Sequence, residues 1–290
     1  MRSLRERHPG AVCVYYVCAV LPVMFGLNPV TAGIGLAGAM AFLLALGERL
    51  RSMLLYIALP LISGILNPVF NHNGKTVLFF LNSNPVTAES VLYGLVMGLL
   101  IASALAWGRS FTRIMDTDRA MTVLGGLHPK AALVLSVALR YIPLLRRQAQ
   151  NTREAAAGLG LIREDNGIDR IGGALRVTDG LVTWGLENGI VTADSMAARG
   201  YGTGIRTRYR LYLWERGDTA LCVLSVLLLV MLVYARATGK IGYTWYPELV
   251  TPERSLTGMA AYAAFAALSF LAAILETGDG LKWKYLRSNI

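Results

Sequence analysis

Ala193-Asp194-Ser195-Met196-Ala197-Ala198-Arg199-Gly200-Tyr201-Gly202 reads as the last turns of a polar-faced helix that stops at glycines and carries one arginine at its end. Apolar stretches of membrane-crossing length lie on both sides of it. Gly200 suits the position just beyond a helix, where a left-handed backbone closes the last turn. Asp194, so near a helix C-terminus, is electrostatically unfavourable there, a cost that favours a purpose other than helix stability. Arginine in a last turn with glycine beyond it is also ordinary helix-stop chemistry, so spacing alone assigns no role.

The chain of 290 residues is 54% hydrophobic and 16% charged, with a mean hydropathy of +0.48. It is too apolar for an ordinary soluble domain, and its apolar runs are long enough to span a bilayer. The net charge of +10 fits positive-inside asymmetry. Because the basic residues are not interleaved with aromatics in a recognisable module, no nucleic-acid partner is expected. Cys13, Cys18 and Cys222 all fall within apolar runs, with no CxxC pair and no ligand-spaced histidine, and read as small core or lipid-facing residues. The basic Met1-Arg2-Ser3-Leu4-Arg5-Glu6-Arg7 resembles the start of a signal peptide, but no small-x-small cleavage site follows, so a retained first span is expected.

Residues 11 to 27 and 30 to 47 form two runs joined at Asn28-Pro29, a hairpin whose return is marked by Glu48, Arg49 and Arg51. A third run, 53 to 70, contains Pro60, Gly64 and Asn67-Pro68 and is expected to kink or break near its outer end. Asn71-His72-Asn73-Gly74-Lys75-Thr76 reads as an outer loop, and a fourth run, 86 to 107, returns to Arg109 and Arg113. Between 109 and 216 lie 16 of the 28 Lys and Arg residues together with 10 acids, a charged domain on the inner face. Runs at 219 to 235 and 256 to 275 follow, separated by Tyr243, Trp245 and Tyr246 as interface aromatics and ending at Lys282, Lys284 and Arg287. The expected fold is an all-α integral membrane protein of about six transmembrane helices plus a cytoplasmic helical domain, with both termini cytoplasmic. No internal repeat is evident.

Two helical segments are expected inside the charged domain. The first runs from Ala131 through Arg140-Tyr141-Ile142-Pro143 to Gly158-Leu159-Gly160. It carries a small-residue stripe, Ala149, Thr152, Ala156 and Leu159, that lets another helix approach closely. The second runs from about Gly180 to Arg199, with Val182, Leu186, Ile190, Ala193 and Ala197 on one face and Glu187, Asp194 and Ser195 turned away.

The quoted decapeptide, followed by Arg206-Thr207, is similar to the second Ala-Arg-Gly coupling motif of the transmembrane T component (EcfT family, CbiQ-like) of energy-coupling factor (ECF) transporters. Asn67-Pro68-Val69-Phe70-Asn71-His72-Asn73-Gly74-Lys75-Thr76 and Leu139-Arg140-Tyr141-Ile142-Pro143-Leu144-Leu145 resemble that family's membrane and pre-coupling segments, so the likeness runs from about Pro60 to Arg208. It implies a bacterial or archaeal multi-pass cell-membrane scaffold without catalytic residues or cofactor of its own. Its partners would be two ABC-type ATPase subunits and a separate substrate-binding S component that captures a vitamin or a transition-metal ion. The apolar runs and the charge pattern divide the chain into a membrane domain at 1–108 with four expected spans, a cytoplasmic domain at 109–216 whose two helices the resemblance makes coupling helices, two further spans at 217–276 and a cytoplasmic tail at 277–290. By position, Ala198, Arg199 and Gly200 are the second motif, and Ala156, Ala157 and Gly158 the first, with Ala157 where the family has arginine. Asp194 and Arg153 are the supporting residues. Contact at the first site then relies on packing, on Arg153, or on an asymmetric ATPase pair.

Other patterns carry less. Gly74-Lys75-Thr76 has the ending of a phosphate loop, but Val69 stands where the first glycine is required. His8, His72 and His128 sit in expected loops, unpaired with metal-ligand neighbours in sequence. Arg206, Arg208 and Arg210 with Tyr209 and Tyr212 fit a positive border that meets anionic headgroups or a partner. An intramembrane enzyme needs a nucleophile and base or metal ligands within spans, and these runs hold no His or Asp. A stand-alone secondary transporter or channel is the alternative, although Glu89 is the only acid near the start of a span.

Overall fold

The computed structural model describes residues 3–81, 84–161, 167–204, 212–246, 250–252 and 255–288. Arg2 and the basic cluster Arg206, Thr207, Arg208, Tyr209 and Arg210 lie outside the described residues. Along the chain run α1 (Pro9–Met24), α2 (Pro29–Ala45), α3 (Leu50–Phe70), β1 (Val77–Leu81), β2 (Asn84–Thr87), α4 (Ala88–Ile114), α5 (Thr117–Leu127), α6 (Pro129–Gly158), α7 (Gly167–Ala198), α8 (Arg216–Ala237) and α9 (Leu256–Ser288). The chain divides into two units, Met1–Ala120 with Tyr212–Ile290, and Met121–Leu211.

The protein is an all-α membrane protein. Among the described residues four helices, α3, α4, α8 and α9, are long and apolar enough to cross a membrane. The other two apolar runs form α1 and α2, of 16 and 17 residues; at about 1.5 Å per residue these are a few ångströms short of a ~30 Å hydrocarbon core. Three elements depart from the sequence reading. Of the kink or break expected in α3, the break does not occur: the helix stays continuous through Pro60 and Pro68 to Phe70. There the Asn67 side chain donates to the Ser90 carbonyl at 2.6 Å, fastening this end to the start of α4. Beyond it, the outer segment holds a two-stranded antiparallel hairpin, β1 with β2, closing Leu81 against Asn84. Finally, α9 continues as helix past the expected span to Ser288.

The first hairpin is set by Asn28. Its side-chain oxygen accepts from the Val30 and Thr31 amides, capping α2 with Pro29 in the first turn. Its amide nitrogen donates to the Ile241 carbonyl at 2.9 Å and the Tyr262 hydroxyl at 2.8 Å. A buried amide with both ends occupied carries no desolvation penalty left unmet. Trp245 Nε1 donates to the Leu27 carbonyl at 2.9 Å, so the α1–α2 turn is held to the segment between α8 and α9.

Glycine brings the helices close. A Cβ at Gly98 of α4 would lie 2.5 Å from Pro60 Cα of α3, and one at Gly94 would lie 2.5 Å from Asn67 Cβ. On α2, a Cβ at Gly38 would meet Ser269 Cβ of α9 at 2.6 Å, and one at Gly35 would meet Ser103 Oγ of α4 at 2.9 Å. Small residues at such crossings replace the hydrophobic drive that lipid cannot supply. Into the remaining space goes Trp107, fully buried among Tyr15, Tyr16 and Phe42, its indole N–H donating to the Gly35 carbonyl at 3.1 Å.

At the opposite end of α2 from Asn28, Glu48 in the α2–α3 turn accepts from Arg109 Nε at 3.0 Å and Arg113 Nη2 at 2.7 Å. Desolvation pushes its carboxyl up, but the two guanidinium hydrogen bonds outweigh it and hold the group below its ordinary value. A carboxylate lowered in the folded state contributes stability that is present above its unfolded value and is lost as pH falls through the folded one. Glu48→Gln is expected to lower the detergent-solubilised Tm at neutral pH, with the gap from wild type shrinking as pH drops below the usual glutamate range. Gly98→Leu, which has no space, is expected to cost about 1–3 kcal/mol or more, read as a lower Tm at every pH.

Candidate functional site

Residues 121–211 are organised by α6 and α7, which run antiparallel. Tyr141 and Thr192 share a hydrogen bond at 3.0 Å. A Cβ at Gly180 would meet Thr152 Cγ2 at 3.5 Å, and one at Gly185 would meet Leu145 Cδ2 at 4.0 Å. Ala149, Thr152 and Ala156 of the small-residue stripe are half-buried as expected, whereas Leu159 is 75% exposed. On α7 the face turned inward is different from the one the sequence pattern picked. Val177, Leu181, Trp184, Asn188, Thr192 and Met196 are half-buried, while Val182, Leu186 and Ile190 are 55 to 65% exposed. Val177, Leu181, Trp184 and Met196 share the packed face with Asn188 and Thr192, and a second aliphatic stripe, Val182, Leu186 and Ile190, is left outside.

Helix α7 also begins at Gly167, well before Gly180. The intervening glycines lower intrinsic helix propensity and hide those turns from a sequence reading. Arg176 from this early part donates to the Leu161 carbonyl at 2.6 Å, just beyond the end of α6. Between the two helices lies an open cleft lined by Ala149, Gln150, Arg153, Arg170 and Gly173.

Both helices close in the same way. In α7 the Tyr201 amide donates to the Met196 carbonyl at 3.0 Å and the Gly200 amide to the Ala197 carbonyl at 2.9 Å, with Gly200 at φ 81°. In α6 the Leu161 amide donates to the Ala156 carbonyl at 2.9 Å and the Gly160 amide to the Ala157 carbonyl at 2.9 Å, with Gly160 at φ 68°. Each is a Schellman closure, in which a left-handed residue lets the chain reach back to the last free carbonyls. In cap register Gly158-Leu159-Gly160 therefore matches Ala198-Arg199-Gly200, two residues beyond Ala156-Ala157-Gly158. Leu159, not Ala157, occupies the position that Arg199 holds. The same offset pairs Thr152 with Thr192, Glu154 with Asp194 and Ala157 with Ala197, a short correspondence that becomes legible once the two glycines are aligned.

Ala198, Arg199 and Gly200 are all exposed, as are Asp194, Arg153, Ala157 and Gly158. The structure does not bring the two motifs together. Because the helices are antiparallel and contact along their middles, the two closures stand at opposite ends of the pair, ~35 Å apart by the helical rise. Elsewhere, His8 is a structural residue whose Nδ1 accepts from the Gly10 amide at 3.1 Å, capping α1. Among the described residues no group of three His, Cys, Asp or Glu gathers as metal ligands do.

No family model matches the chain. It is similar to three curated relatives. "Energy-coupling factor transporter transmembrane protein EcfT" of Streptococcus equi subsp. equi is 25% identical over 60% of this chain and 69% of its own length. "Energy-coupling factor transporter transmembrane protein EcfT 1" of Listeria monocytogenes is 32% identical over 37% of this chain and 41% of its own. The protein of the same EcfT name from Lactobacillus helveticus is 31% identical over 52% of each. The chain thus spans between 41% and 69% of the length of these three relatives.

The shared closure makes a direct expectation. Gly200→Ala forces a side chain into φ 81° and is expected to weaken the helix end by about 1–2 kcal/mol, read as faster amide exchange at Gly200 and Tyr201. Gly189→Ala, mid-helix with nothing within 4 Å of a new Cβ, is expected to be neutral or stabilising.

Proposed function

We propose, from the premise of an EcfT-family transmembrane component supported by the three relatives over about half the chain, that this protein is the scaffold and energy-coupling subunit of an ATP-driven importer. In this reading two ABC-type ATPase subunits dock on the α6 and α7 ends. A separate substrate-binding S component in the membrane supplies the vitamin or transition-metal ion, and the chain itself performs no catalysis. The units are multi-pass membrane and cytoplasmic, with residues 121–211 and both termini on the cytoplasmic side.

The observation that supports this best is that two exposed helix ends, Gly158-Leu159-Gly160 and Ala198-Arg199-Gly200, stand at opposite ends of one antiparallel helix pair. Two nucleotide-binding partners need two contacts separated by more than one domain radius, and a single helix end offers only one. Arg199 gives its end a planar donor set suited to a partner carboxylate, a contact that is charge-assisted and directional. Leu159 gives the other end a shorter apolar knob with no charge. The proposed contacts are therefore Ala198, Arg199 and Gly200 at one end and Gly158, Leu159 and Gly160 at the other. Ala156 and Ala157 supply the carbonyls that close the second end, with Arg153 and Asp194 on the flanks.

Arg199→Glu is expected to abolish ATP-driven uptake in reconstituted vesicles, since truncating one partner of a buried charge pair costs about 2–5 kcal/mol and reversing it costs more. Unchanged uptake, or wild-type chain that carries substrate without any co-purifying ATPase, would overturn the proposal.

A further inference from the structure

The chain leaves its membrane unit after Ala120 and re-enters it at Tyr212, and one guanidinium stands at both points. Arg119, in the first turn of α5, is only 3% exposed. Its Nη1 donates to the Ile114 carbonyl at 2.9 Å, at the end of α4. Its Nη2 donates to the carbonyls of Leu4 at 3.5 Å, Arg7 at 3.0 Å and Arg5. The guanidinium carbon also lies 5.4 Å from the centroid of the Tyr212 ring.

Residues 3–8, which supply three of those carbonyls, are themselves tied down on several sides. Arg7 Nη1 donates to the Gly217 carbonyl at 2.6 Å in the first turn of α8. The His8 ring lies 4.9 Å from that of Trp214, Arg5 Nε stands 3.6 Å from Glu276 of α9, and Leu4 is fully buried. The segment is a strap across one end of the bundle, reaching α4, α8 and α9, and Arg119 is its central fastening.

A buried guanidinium is costly unless its donors are met, and helices of this kind can be joined more cheaply by apolar packing. What the arrangement adds is direction. A planar fork bonding to carbonyls of two segments while stacked on a ring tolerates little rotation, unlike a greasy contact. Both covalent routes by which a displacement of residues 121–211 can enter the bundle pass this residue. We infer that Arg119, with Tyr212 and the strap of residues 3–8, is the positioning device that transmits such a displacement to α1, α4, α8 and α9 together. The inference rests on the transporter reading given above.

The test reconstitutes the wild-type complex, Arg119→Lys, Tyr212→Leu and Tyr212→Phe with the ATPases and capture subunit that co-purify, and measures ATP hydrolysis and uptake on the same vesicles. Arg119→Lys and Tyr212→Leu are expected to assemble and hydrolyse ATP while uptake per ATP falls about five-fold or more. Tyr212→Phe, which keeps the ring face, is expected to retain coupling. An unchanged ratio overturns the inference, and so do hydrolysis and uptake that fall together with the amount of folded complex, the mark of a merely structural residue. A wild-type complex without ATP-driven uptake sinks the transporter reading instead, and amide exchange on the chain alone then decides the fastening. Arg119→Lys is expected to speed exchange in residues 4–8 and 212–218 together, and protection unchanged in either segment overturns it.

Discussion

The antiparallel seating of α6 on α7 is the constraint on which the proposed site depends. It is fixed near one end by the Tyr141–Thr192 hydrogen bond and near the other by Thr152 against Gly180. Neither contact is large, and no residue of α6 is fully buried. The pair is held by shape and by a few polar contacts, so its two ends project as exposed features instead of being absorbed into a core. Had the stripe of Val182, Leu186 and Ile190 been the packed face of α7, the helix would be rotated about its axis and Arg199 would point elsewhere.

The membrane unit answers a different requirement. Without water in the hydrocarbon region, polar groups must be satisfied by protein, and Asn28, Tyr15 and Trp107 all place their side-chain donors on backbone carbonyls of distant segments. Each such bond costs sequence freedom at both ends. Gly35 illustrates this: it gives its carbonyl to Trp107 and its missing side chain to Ser103 of the same helix. A substitution there would disturb one polar and one packing contact at once.

How much of this was legible in the sequence follows from what each signal measures. Long apolar runs and Asn28-Pro29 located the helices of the membrane unit, because hydropathy and the cap-plus-proline pattern are local properties. The continuity of α3 was not legible, since Pro60 and Pro68 read as breakers and the neighbouring α4 that supports them is remote in sequence. The packed face of α7 is not legible from periodicity, because the helix carries two apolar stripes and Val177, Leu181, Trp184 and Met196 turn inward while Val182, Leu186 and Ile190 do not. Arg119 carried no local sign, as three of its four carbonyl acceptors, those of Leu4, Arg5 and Arg7, lie more than a hundred residues away in the chain. The left-handed residue that closes α6 is Gly160, two residues beyond Ala156-Ala157-Gly158, and this cap register is a property of the backbone that the triplet does not display.

That register bears on how the two ends differ. Their backbones are closed by the same hydrogen bonds and their glycines take the same left-handed turn, so any difference in what they contact comes from one side chain each. A guanidinium at the cap position gains from a carboxylate opposite it and loses if the facing surface is apolar, because its charge would be desolvated without a partner. Leucine at the same position has the reverse preference: a facing carboxylate would be left unpaired against it. The two ends therefore cannot both be well matched by one and the same partner surface. In the proposed complex, either the two partner surfaces differ, or the Leu159 end contributes packing alone while neighbouring Arg153, Arg170 and Arg176 supply the charge from the side. The cleft beside that end already gathers Arg153 and Arg170, and Arg176 anchors the chain just beyond Leu159. Positive charge at the α6 end thus comes from α7 and the body of α6, which makes that end dependent on the pair staying seated, whereas the Arg199 end carries its charge on the cap itself.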